Sequence, residues 1–335
     1  MKKLILLPPF IIITIVFVGA LLWWKSASEP RDTRDSSTHE FLITRGEPLQ
    51  KIAKRLEKEG LIKNDFAFRF YVQVKGYQTD IKAGDYRLAP NLSLQRMVTT
   101  LLKGPAELWV TYPEGLRREE IALKTIKALE IKEQEQETFY REFLQATSGE
   151  EGYLFPDTYL FPRDVKAEKV AKKLRSTLDE KITDEMEKEL ERRGRTLQEV
   201  LVLASVVERE TNTNEERPVV AGILLKRLEI GMPLQVDATL QYITGNNRCA
   251  KKVSLADCDW WKPPFIEDKK LNSPYNTYLN QGLPPYPIAS PGFSAIKAVV
   301  YPADSDYLFY LHGKDGKIRY GETIDKHNEN IRKYL

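Results

Sequence analysis

The sequence has few of the residues that build metal centres and redox sites. Its 335 residues include three histidines and two cysteines. The cysteines, Cys249 and Cys258, have no zinc-ligand spacing and no histidine close to them in the sequence. No phosphate-binding glycine loop and no serine–histidine pairing is visible either. We therefore expect no metal and no cofactor, and chemistry carried by carboxylates, hydroxyls and amides.

An excess of charge of either sign is also missing. The 51 lysines and arginines nearly balance the 48 aspartates and glutamates, which gives a net charge of +3. Proteins that bind nucleic acid usually concentrate a strong positive excess, so we expect no nucleic-acid partner. The length and the apolar content of 42% are typical of a globular protein of about two domains.

One long apolar run is present, close to the N-terminus. Residues 4–24 include no charged side chain, and the run is long enough to cross a bilayer. Lys2 and Lys3 precede it, which favours a cytoplasmic N-terminus and an extracytoplasmic remainder. The alternative is a cleaved signal peptide, for which residues 26–28 supply small side chains. The run is longer than a typical signal core and Lys25 interrupts the approach to that site, so we predict a single-pass anchor.

The next stretches predict a tether and a small unit of strands and helices. Residues 26–39 are polar and lack periodicity, which is typical of a flexible tether. A short strand, a turn at Gly46 and an amphipathic helix follow. A second helix at 66–74, a strand at 83–89 and a third helix at 94–102 complete the unit.

The beginning of this unit is repeated further along the chain. The segment VTYPEGL, which starts at Val110, parallels ITRGEPL, which starts at Ile43, and an Ile-Ala pair follows each. This unit resembles half of a LysM module, a small carbohydrate-binding fold. The alternative is that strand–turn–helix patterns are simply common.

An aromatic segment interrupts the charged helices of residues 124–195. It reads EGYLFPDTYLFPRD, at 151–164. Its aromatic residues and prolines predict a rigid apolar loop, which either walls a sugar-binding cleft or lines the core. The sequence supports the two interpretations equally.

The segment TLQEVLVLASVVERETN holds the strongest candidates for chemistry. Residues 200–207 are apolar except for Ser205, which predicts a helix buried on nearly every side. Glu208 and Glu210 lie at its C-terminal end, roughly 160° apart at about 100° per residue. A carboxyl group against apolar surface has a raised pKa, as a general acid near neutrality requires. The helical wheel gives both glutamates such a setting and does not choose between them. The alternative is that both reach solvent.

Residues suited to an oligosaccharide cleft follow. Gln235 and Asp237 fall in a stretch that we expect to be extended, and the segment at 273–292 is rich in Gly, Pro, Tyr and Asn. Amides and hydroxyls bond sugar hydroxyl and acetamido groups, and aromatic faces stack on sugar rings. Taken singly, each of these residues is more often structural.

These blocks together resemble a known family. LASVVERETN, the pair Glu216 and Arg217, RLEIGMPLQVDAT, SPYNTY and GLPPYPIASPG are similar to the signature segments of the MltG (YceG-like) endolytic murein transglycosylases. The order of a short cytoplasmic start, one membrane helix, a LysM-like segment and a catalytic domain is similar too. The resemblance extends over nearly the whole chain from about Phe41.

The resemblance implies a reaction and a set of site residues. Members of the family cleave the MurNAc-β-1,4-GlcNAc bond within nascent strands and leave 1,6-anhydro-MurNAc ends. The implied catalytic residue is the second glutamate of the E-x-E pair, Glu210. Three residues stand on family motif positions and three more lie in the same blocks, and we expect all of them to bind substrate: Gln235, Asp237, Asn276, Tyr275, Tyr278 and Glu216.

The sequence departs from the family pattern in two places. The family's usual LQTDPT is LQVDAT here, which keeps Gln235 and Asp237 but lacks the proline. The chain is also longer than expected between 243 and 273, where it has Cys249 and Cys258. In an oxidising compartment we expect these cysteines to form a local disulfide, the alternative being two reduced thiols.

The expected fold class is α+β. Residues 1–25 form the cytoplasmic start and the membrane anchor, 26–39 the tether, 40–105 the LysM-like domain and 106–335 the catalytic domain. The resemblance implies a single-pass protein of the inner (plasma) membrane with its catalytic domain outside the cytoplasm. It also implies glycan strands as substrate and peptidoglycan synthases of the elongation or division machinery as partners.

Two other functions are left open by the sequence. A non-catalytic glycan-binding scaffold of the cell envelope shares the anchor and the LysM-like part, but has no need of an acid at the end of a buried helix. An inverting hydrolase uses Asp237 as the base that activates water. The products of the reaction distinguish a hydrolase from a transglycosylase.

Overall fold

The structure, a computed structural model, describes residues 9–249 and 258–335. It has the expected mixed α+β composition. The described residues fall into two compact units. The first runs up to Trp109 and includes Leu160–Asp164, and the second contains Val110–Tyr159 and Val165–Leu335. The return of residues 160–164 to the first unit was not predicted.

The described chain begins with one long apolar helix, α1 (Pro9–Ser28). Its side chains from Ile11 to Leu22 are exposed, and the helix is long and apolar enough to cross a membrane. The C-terminal end of α1 is buried at Ala27 and Ser28, which pack into the first unit.

The stretch predicted to be a tether is fastened to the first unit. The N–H of Asp32 donates a hydrogen bond to the carbonyl of Pro90, and the N–H of Asn91 donates to the carbonyl of Asp35. The absence of periodicity therefore indicated an irregular segment, but not a free one. Backbone groups, which no side-chain pattern reveals, hold it in place.

The first unit is built on a strand–helix–helix–strand order. After α1 its elements are β1 (His39–Ile43), α2 (Leu49–Lys58), α3 (Asp65–Val74), β2 (Gly84–Leu88) and α4 (Leu94–Leu102). The strands β1 and β2 pair antiparallel, with His39 opposite Leu88. The apolar face of α2, formed by Ile52, Ala53 and Leu56, lies in the core. The predicted helices and strands of this unit are confirmed within a residue or two at their ends.

The predicted internal repeat is visible in the order of the next elements. β3 (Glu107–Thr111), α5 (Arg118–Ala128), α6 (Glu133–Ala146) and β4 (Thr158–Pro162) again run strand–helix–helix–strand. Residues 107–109 and 160–162 belong to the first unit, whose sheet has the strand order β1-β2-β3-β4.

The aromatic segment 151–164 lines core rather than a cleft. Leu154, Phe155, Tyr159 and Phe161 are all buried, and the second half of the segment forms β4. The alternation of buried and exposed residues in β4 is that of a strand with one face covered. Of the two interpretations that the sequence allowed, the structural one is therefore correct.

The second unit is mainly helical. Its further elements are α7 (Ala167–Lys181), α8 (Asp184–Arg193), α9 (Leu197–Glu210), α10 (Glu216–Glu229), α11 (Asp237–Cys249), a 3-10 helix (Ile266–Lys270), α12 (Phe293–Val300), β5 (Phe309–His312), β6 (Ile318–Gly321) and α13 (Ile324–Tyr334). The strands β5 and β6 pair antiparallel. The core surrounds α9, because α10, α11 and α12 all pack against it.

The helix α9 is the buried helix that the sequence predicts. It starts with a capping box, in which the Thr196 hydroxyl accepts from the N–H of Glu199 and the Glu199 carboxylate accepts from the N–H of Thr196. Every residue of 200–207 is buried. Ser205 is satisfied there, since its hydroxyl accepts the N–H of Ile288 at 3.0 Å. Apolar packing on all sides makes α9 a rigid support for its C-terminal end.

The stretch around Gln235 is not extended, contrary to the prediction. Gln235 has a left-handed backbone, with φ of 53°, and Asp237 is the first residue of α11. The N–H groups of Gln235 and Val236 donate to the carbonyl and the hydroxyl of Thr277, at 3.1 and 3.0 Å. These bonds to a distant part of the chain fix a turn into a helix where the local pattern suggested a strand.

The two cysteines form a local disulfide. Cys249 is the last residue of α11 and is bonded to Cys258. Residues 250–257 between them lie outside the described residues. The carbonyl of Asp259 also accepts a hydrogen bond from Arg248, so the end of α11 is joined twice to the segment after the disulfide.

Candidate active site

Glu210 ends α9 beside a hydroxyl donor. The helix stops there because Thr211 adopts an extended backbone, with φ of −124°. The Tyr310 hydroxyl, on β5, donates a hydrogen bond to Oε2 of Glu210 at 3.0 Å. The Glu210 side chain is closely surrounded by protein atoms but retains some exposure to solvent. The carboxyl group is therefore both protected and reachable.

The pKa of Glu210 is raised above its ordinary value of 4.5. Burial is the largest cause, and the negative charge of Asp237 acts in the same direction. The Tyr310 hydroxyl, the Ala238 N–H and His312 favour the anion and oppose the shift. Within the described ranges, no lysine or arginine lies at ion-pair distance from this carboxyl group. Glu210 can thus keep a proton that an exposed glutamate has already released.

Glu208, two residues earlier, has different partners. Its Oε1 lies 2.6 Å from Nη2 of Arg217, and its Oε2 accepts the N–H of Gly292 at 3.0 Å. The Glu208 side chain is 7% exposed and that of Arg217 is 9% exposed. Burial and the charge of Glu114 raise the pKa of Glu208, although the Gly292 N–H and Arg217 oppose them. Both oxygens of Glu208 are therefore occupied by protein groups, whereas among the described residues no lysine or arginine lies at ion-pair distance from Glu210.

Arg217 connects three segments behind this helix end. Besides Glu208 it bonds Glu114, at 3.2 Å, and the side chain of Asn214, at 2.6 Å. A Cβ at position 292 would meet the carboxylate of Glu114, so a larger residue there would displace the Glu114 side chain. We infer a structural role for Glu208 and Arg217, which fix the end of α9 in place.

Asp237 and Tyr278 form a second pair near Glu210. The Tyr278 hydroxyl donates to Oδ1 of Asp237 at 2.6 Å. Burial raises the pKa of Tyr278, and the bond to Asp237 raises it further, so the phenol keeps its proton and remains a donor. Asp237 is itself exposed, at the N-terminus of α11, and the neighbouring Gln235 is exposed as well. This pair gives the site a hydroxyl and a carboxylate, with an amide close by in the sequence.

Glu216 is held by the loop after α9 and by β5. Its Oε2 accepts the N–H of Asn212 at 2.9 Å and lies 3.2 Å from Nε2 of His312. Burial alone raises the pKa of Glu216, but the Asn212 N–H and His312 outweigh it and the pKa is lowered. His312 and Tyr310 are two residues apart on β5 and therefore share one face of the strand. Glu216 thus fixes the strand that carries the hydroxyl bonded to Glu210.

Asn276 and Tyr275, close to Tyr278 in the sequence, make contacts within the protein. Asn276 is fully buried, and its amide donates to the carbonyls of Lys269 and Leu271 and accepts a backbone N–H two residues on. Asn276 therefore holds its own loop, and both N–H groups of its amide are used there. Tyr275 packs on Tyr242, with ring centroids 4.9 Å apart, and is partly buried.

The structure thus brings together some of the predicted residues and adds others. Glu210, Asp237 and Tyr278 lie in one neighbourhood, and β5 contributes two groups that sequence reasoning missed, Tyr310 and His312. Tyr310 follows Glu210 by 100 residues. The sequence of β5, FYLH, alternates apolar residues with Tyr310 and His312, but a strand of this length is too short to identify a site. In the described part of the chain, no group of three or more His, Cys, Asp or Glu side chains could hold a metal ion.

Glu210 is thus a protected carboxyl group with one hydroxyl donor bonded to it and a second carboxylate near it, and glycosidic bond cleavage by proton transfer uses groups of this kind. The YceG-like family model matches residues 41–333. The chain belongs to that family.

Individual relatives extend the comparison. The chain is 29% identical to a protein of Bacillus subtilis (strain 168) named endolytic murein transglycosylase, over 96% of this chain and 91% of that protein. A protein of the same name from Streptococcus pneumoniae (strain D39) is 30% identical over 88% of this chain, which spans 58% of that longer relative. The crystal structure of a YceG-like protein of Listeria monocytogenes superposes with a TM-score of 0.58 at 27% identity, over 88% of this chain and 98% of the other.

Proposed function

We propose that this protein is a membrane-anchored endolytic murein transglycosylase. It cleaves the MurNAc-β-1,4-GlcNAc bond within peptidoglycan strands and leaves 1,6-anhydro-MurNAc ends. Membership of the YceG-like family and the names of the Bacillus and Streptococcus relatives support the reaction class. The observation that carries the mechanism is the setting of Glu210, a carboxyl group with a raised pKa and a hydroxyl donor.

Glu210 acts first as an acid and then as a base. The protonated carboxyl group gives its proton to the glycosidic oxygen, and the bond between that oxygen and C1 of MurNAc breaks. The resulting carboxylate takes the proton of the MurNAc 6-hydroxyl while O6 forms a bond to C1. The sugar acetamido group stabilises the positive charge on C1 between these events. The 1,6-anhydro ring is closed, water is not consumed, and Glu210 is protonated again for the next turnover.

The neighbouring residues tune this cycle. Tyr310 stabilises the carboxylate that exists between the two proton transfers. Asp237 raises the pKa of Glu210 and is oriented by Tyr278, and the exposed amide of Gln235 bonds substrate beside it. Glu216, Asn276 and Tyr275 act by positioning, since each is committed to protein contacts.

We also propose that the remaining parts of the chain hold the enzyme at the membrane. α1 spans the inner membrane with a cytoplasmic N-terminus, and the second unit works outside the cytoplasm. The Cys249–Cys258 disulfide suits such an oxidising location. The strand–helix–helix–strand order of the first unit supports a LysM-like, glycan-binding role for it. Peptidoglycan synthases, which make the strands, are the proposed protein partners.

Product analysis tests the proposal. The full chain is incubated with purified peptidoglycan, and the muropeptides are separated and weighed. We expect products with 1,6-anhydro-MurNAc ends, lighter by one water than hydrolysed ends. Reducing ends instead indicate a hydrolase in which Asp237 activates water. Intact strands that still bind the protein indicate a non-catalytic scaffold.

A further inference from the structure

The helix α3 presents an unusual apolar stripe to solvent. Phe66, Phe70 and Val74 are 54%, 48% and 66% exposed. They are four residues apart in turn and therefore lie in one row on the helix surface. The opposite face, which includes Phe68 and Val72, is buried in the first unit. Three large apolar side chains in a row on a folded domain mark a contact with something apolar.

The stripe is continuous with the end of α1. The rings of Trp23 and Phe66 are 6.0 Å apart, and those of Trp24 and Phe70 are 5.9 Å apart. Phe66 and Phe70 also stack on each other, with centroids 6.4 Å apart. The aromatic residues of α1 and α3 thus form one surface, which belongs entirely to the first unit.

The position of Trp23 and Trp24 sets the depth of this surface. Tryptophans at the end of a membrane-spanning helix lie at the level of the lipid headgroups. The rings of Phe66 and Phe70 touch them and lie at the same level. No flexible linker separates α1 from the first unit, because α1 continues without a break to Ser28 and its residues Ala27 and Ser28 are buried.

The charges around the stripe suit a lipid surface. Lys25, in the last turn of α1, and Lys75, next to Val74 in the sequence, are both exposed, and Arg69 lies beside Phe66. The acidic residue of this helix, Asp65, is already paired with Arg69 at 3.1 Å. Exposed lysines next to inserted aromatic residues are attracted to anionic headgroups.

We propose that α3 is a second membrane contact, which lies in the lipid interface with Phe66, Phe70 and Val74 inserted. The occupant of this surface is lipid, not a protein. The first unit then rests directly on the bilayer instead of standing off on a tether. This inference rests on the membrane anchoring by α1 that forms part of the proposed function, and is independent of the chemistry at Glu210.

Spin labels at single engineered cysteines test the contact. The full chain is reconstituted in vesicles of phosphatidylethanolamine and phosphatidylglycerol, with the native disulfide kept oxidised so that no other thiol reacts. The label is placed by Val74→Cys, at the most exposed position of the stripe, and separately by Phe70→Cys. We expect collisions with oxygen to exceed those with a water-soluble nickel chelate several-fold at both sites, as at a lipid-buried position.

Two further labels separate the possible failures. Arg87→Cys, on the sheet face opposite the buried Tyr86, is the aqueous control and should favour the chelate. Leu21→Cys, within α1, reports anchoring alone. Lipid exposure at 21 with aqueous exposure at 70 and 74 overturns the inference and leaves the anchor in place. Aqueous exposure at position 21 overturns both the anchoring by α1 and the membrane contact of α3. Dipolar broadening at position 74 shows that a second copy of the chain covers the stripe, and it also overturns the inference.

Discussion

The hydroxyl of Tyr310 donates its hydrogen bond to Oε2 of Glu210 across 3.0 Å. Burial pushes this carboxyl group toward its protonated form, whereas the hydroxyl favours the anion. A reaction that needs the same group as an acid and then as a base requires both influences. Too little burial leaves no proton to donate, and too weak a donor leaves the anion unsupported.

Removing the proton from Glu210 should abolish turnover. Glu210→Gln keeps the shape of the side chain and can still accept a bond from Tyr310, but it neither gives nor takes a proton. A general acid contributes roughly 10²–10⁴-fold in rate, and the loss should be at least that large because the base is lost as well. The measurement is the yield of anhydro-ended muropeptides, together with strand binding, which should be retained.

Glu208→Gln is the matched control. Because Glu208 serves an ion pair, its loss should lower stability by about 1–3 kcal/mol and leave activity per folded molecule largely intact. Arg217 keeps Glu114 as a partner, which limits the damage. A variant at 208 that is stable but inactive, beside an active variant at 210, would reverse our assignment of the two glutamates.

Tyr310→Phe should change the pH profile of the reaction. The Tyr310 hydroxyl lowers the pKa of Glu210, so its removal raises that pKa further. The alkaline limb of kcat/KM, where the acid loses its proton, should move to higher pH, and kcat should fall because the anion is less stable. Tyr307→Phe is the control, since Tyr307 stacks on Tyr320. Identical pH profiles for the Tyr310→Phe variant and the parent would exclude the role proposed for this hydroxyl.

Glu151 should make the protein less stable as the pH rises. Burial raises its pKa from 4.5 to about 8. Its Oε1 accepts the N–H of Arg118, and among the described residues its Oε2 has no hydrogen-bond partner. The folded state keeps a proton on Glu151 that the unfolded state releases near pH 4.5. The contribution of Glu151 to the free energy of unfolding is therefore fully present below pH 4.5, and it is lost as the pH rises to about 8.

Glu151→Gln should flatten this dependence. The melting temperature of the parent should fall more steeply than that of the variant between pH 4.5 and about 8. Glu150→Gln, at the neighbouring and more exposed position, should follow the parent. Parallel curves for the parent and the variant at 151 would show that Glu151 is ionised in the fold.

The disulfide should be detectable in protein from the cell envelope. Non-reducing peptide mapping should recover a crosslinked fragment that contains Cys249 and Cys258. The double change to serine should lower the free energy of unfolding by about 2–3 kcal/mol, as expected for a short closed loop. Two thiols that alkylate freely without reductant would contradict the prediction, and turnover by the serine variant would show that the site does not depend on the bond.

The anchor should be demonstrable by topology. An enzyme reporter fused after Leu335 should be active only outside the cytoplasm, and the protein should resist extraction with alkaline carbonate. Replacing Ile13 and Val16 by arginine places two charges in the span, which should release or mislocalise the chain. A soluble mature protein that begins near Ser28 would instead show that α1 is a cleaved signal.

Much of this fold is predictable because its elements are local. The helices α2, α3 and α4 follow from apolar spacing, and α9 follows from an apolar run closed by two glutamates. The turn at Gln235 was missed because its bonds are to Thr277. The same limitation left the choice between Glu208 and Glu210 to the family resemblance.

The partners of those two glutamates come from far along the chain. Gly292, which bonds Glu208, and Tyr310, which bonds Glu210, follow them by 84 and 100 residues. No periodicity connects such positions. Packing creates the difference between the two carboxyl groups, so only the folded chain reveals it.

The separation of Tyr310 from Glu210 also has a consequence in time. Because a chain is synthesised from its N-terminus, α9 is made well before β5. Contacts over such a separation form late, since the intervening loop must first close. The surroundings of the Glu210 carboxyl group are therefore complete only after β5 has been made and has packed beside the end of α9. Until β5 is in place, Glu210 lacks the hydroxyl donor that the proposed acid–base cycle uses.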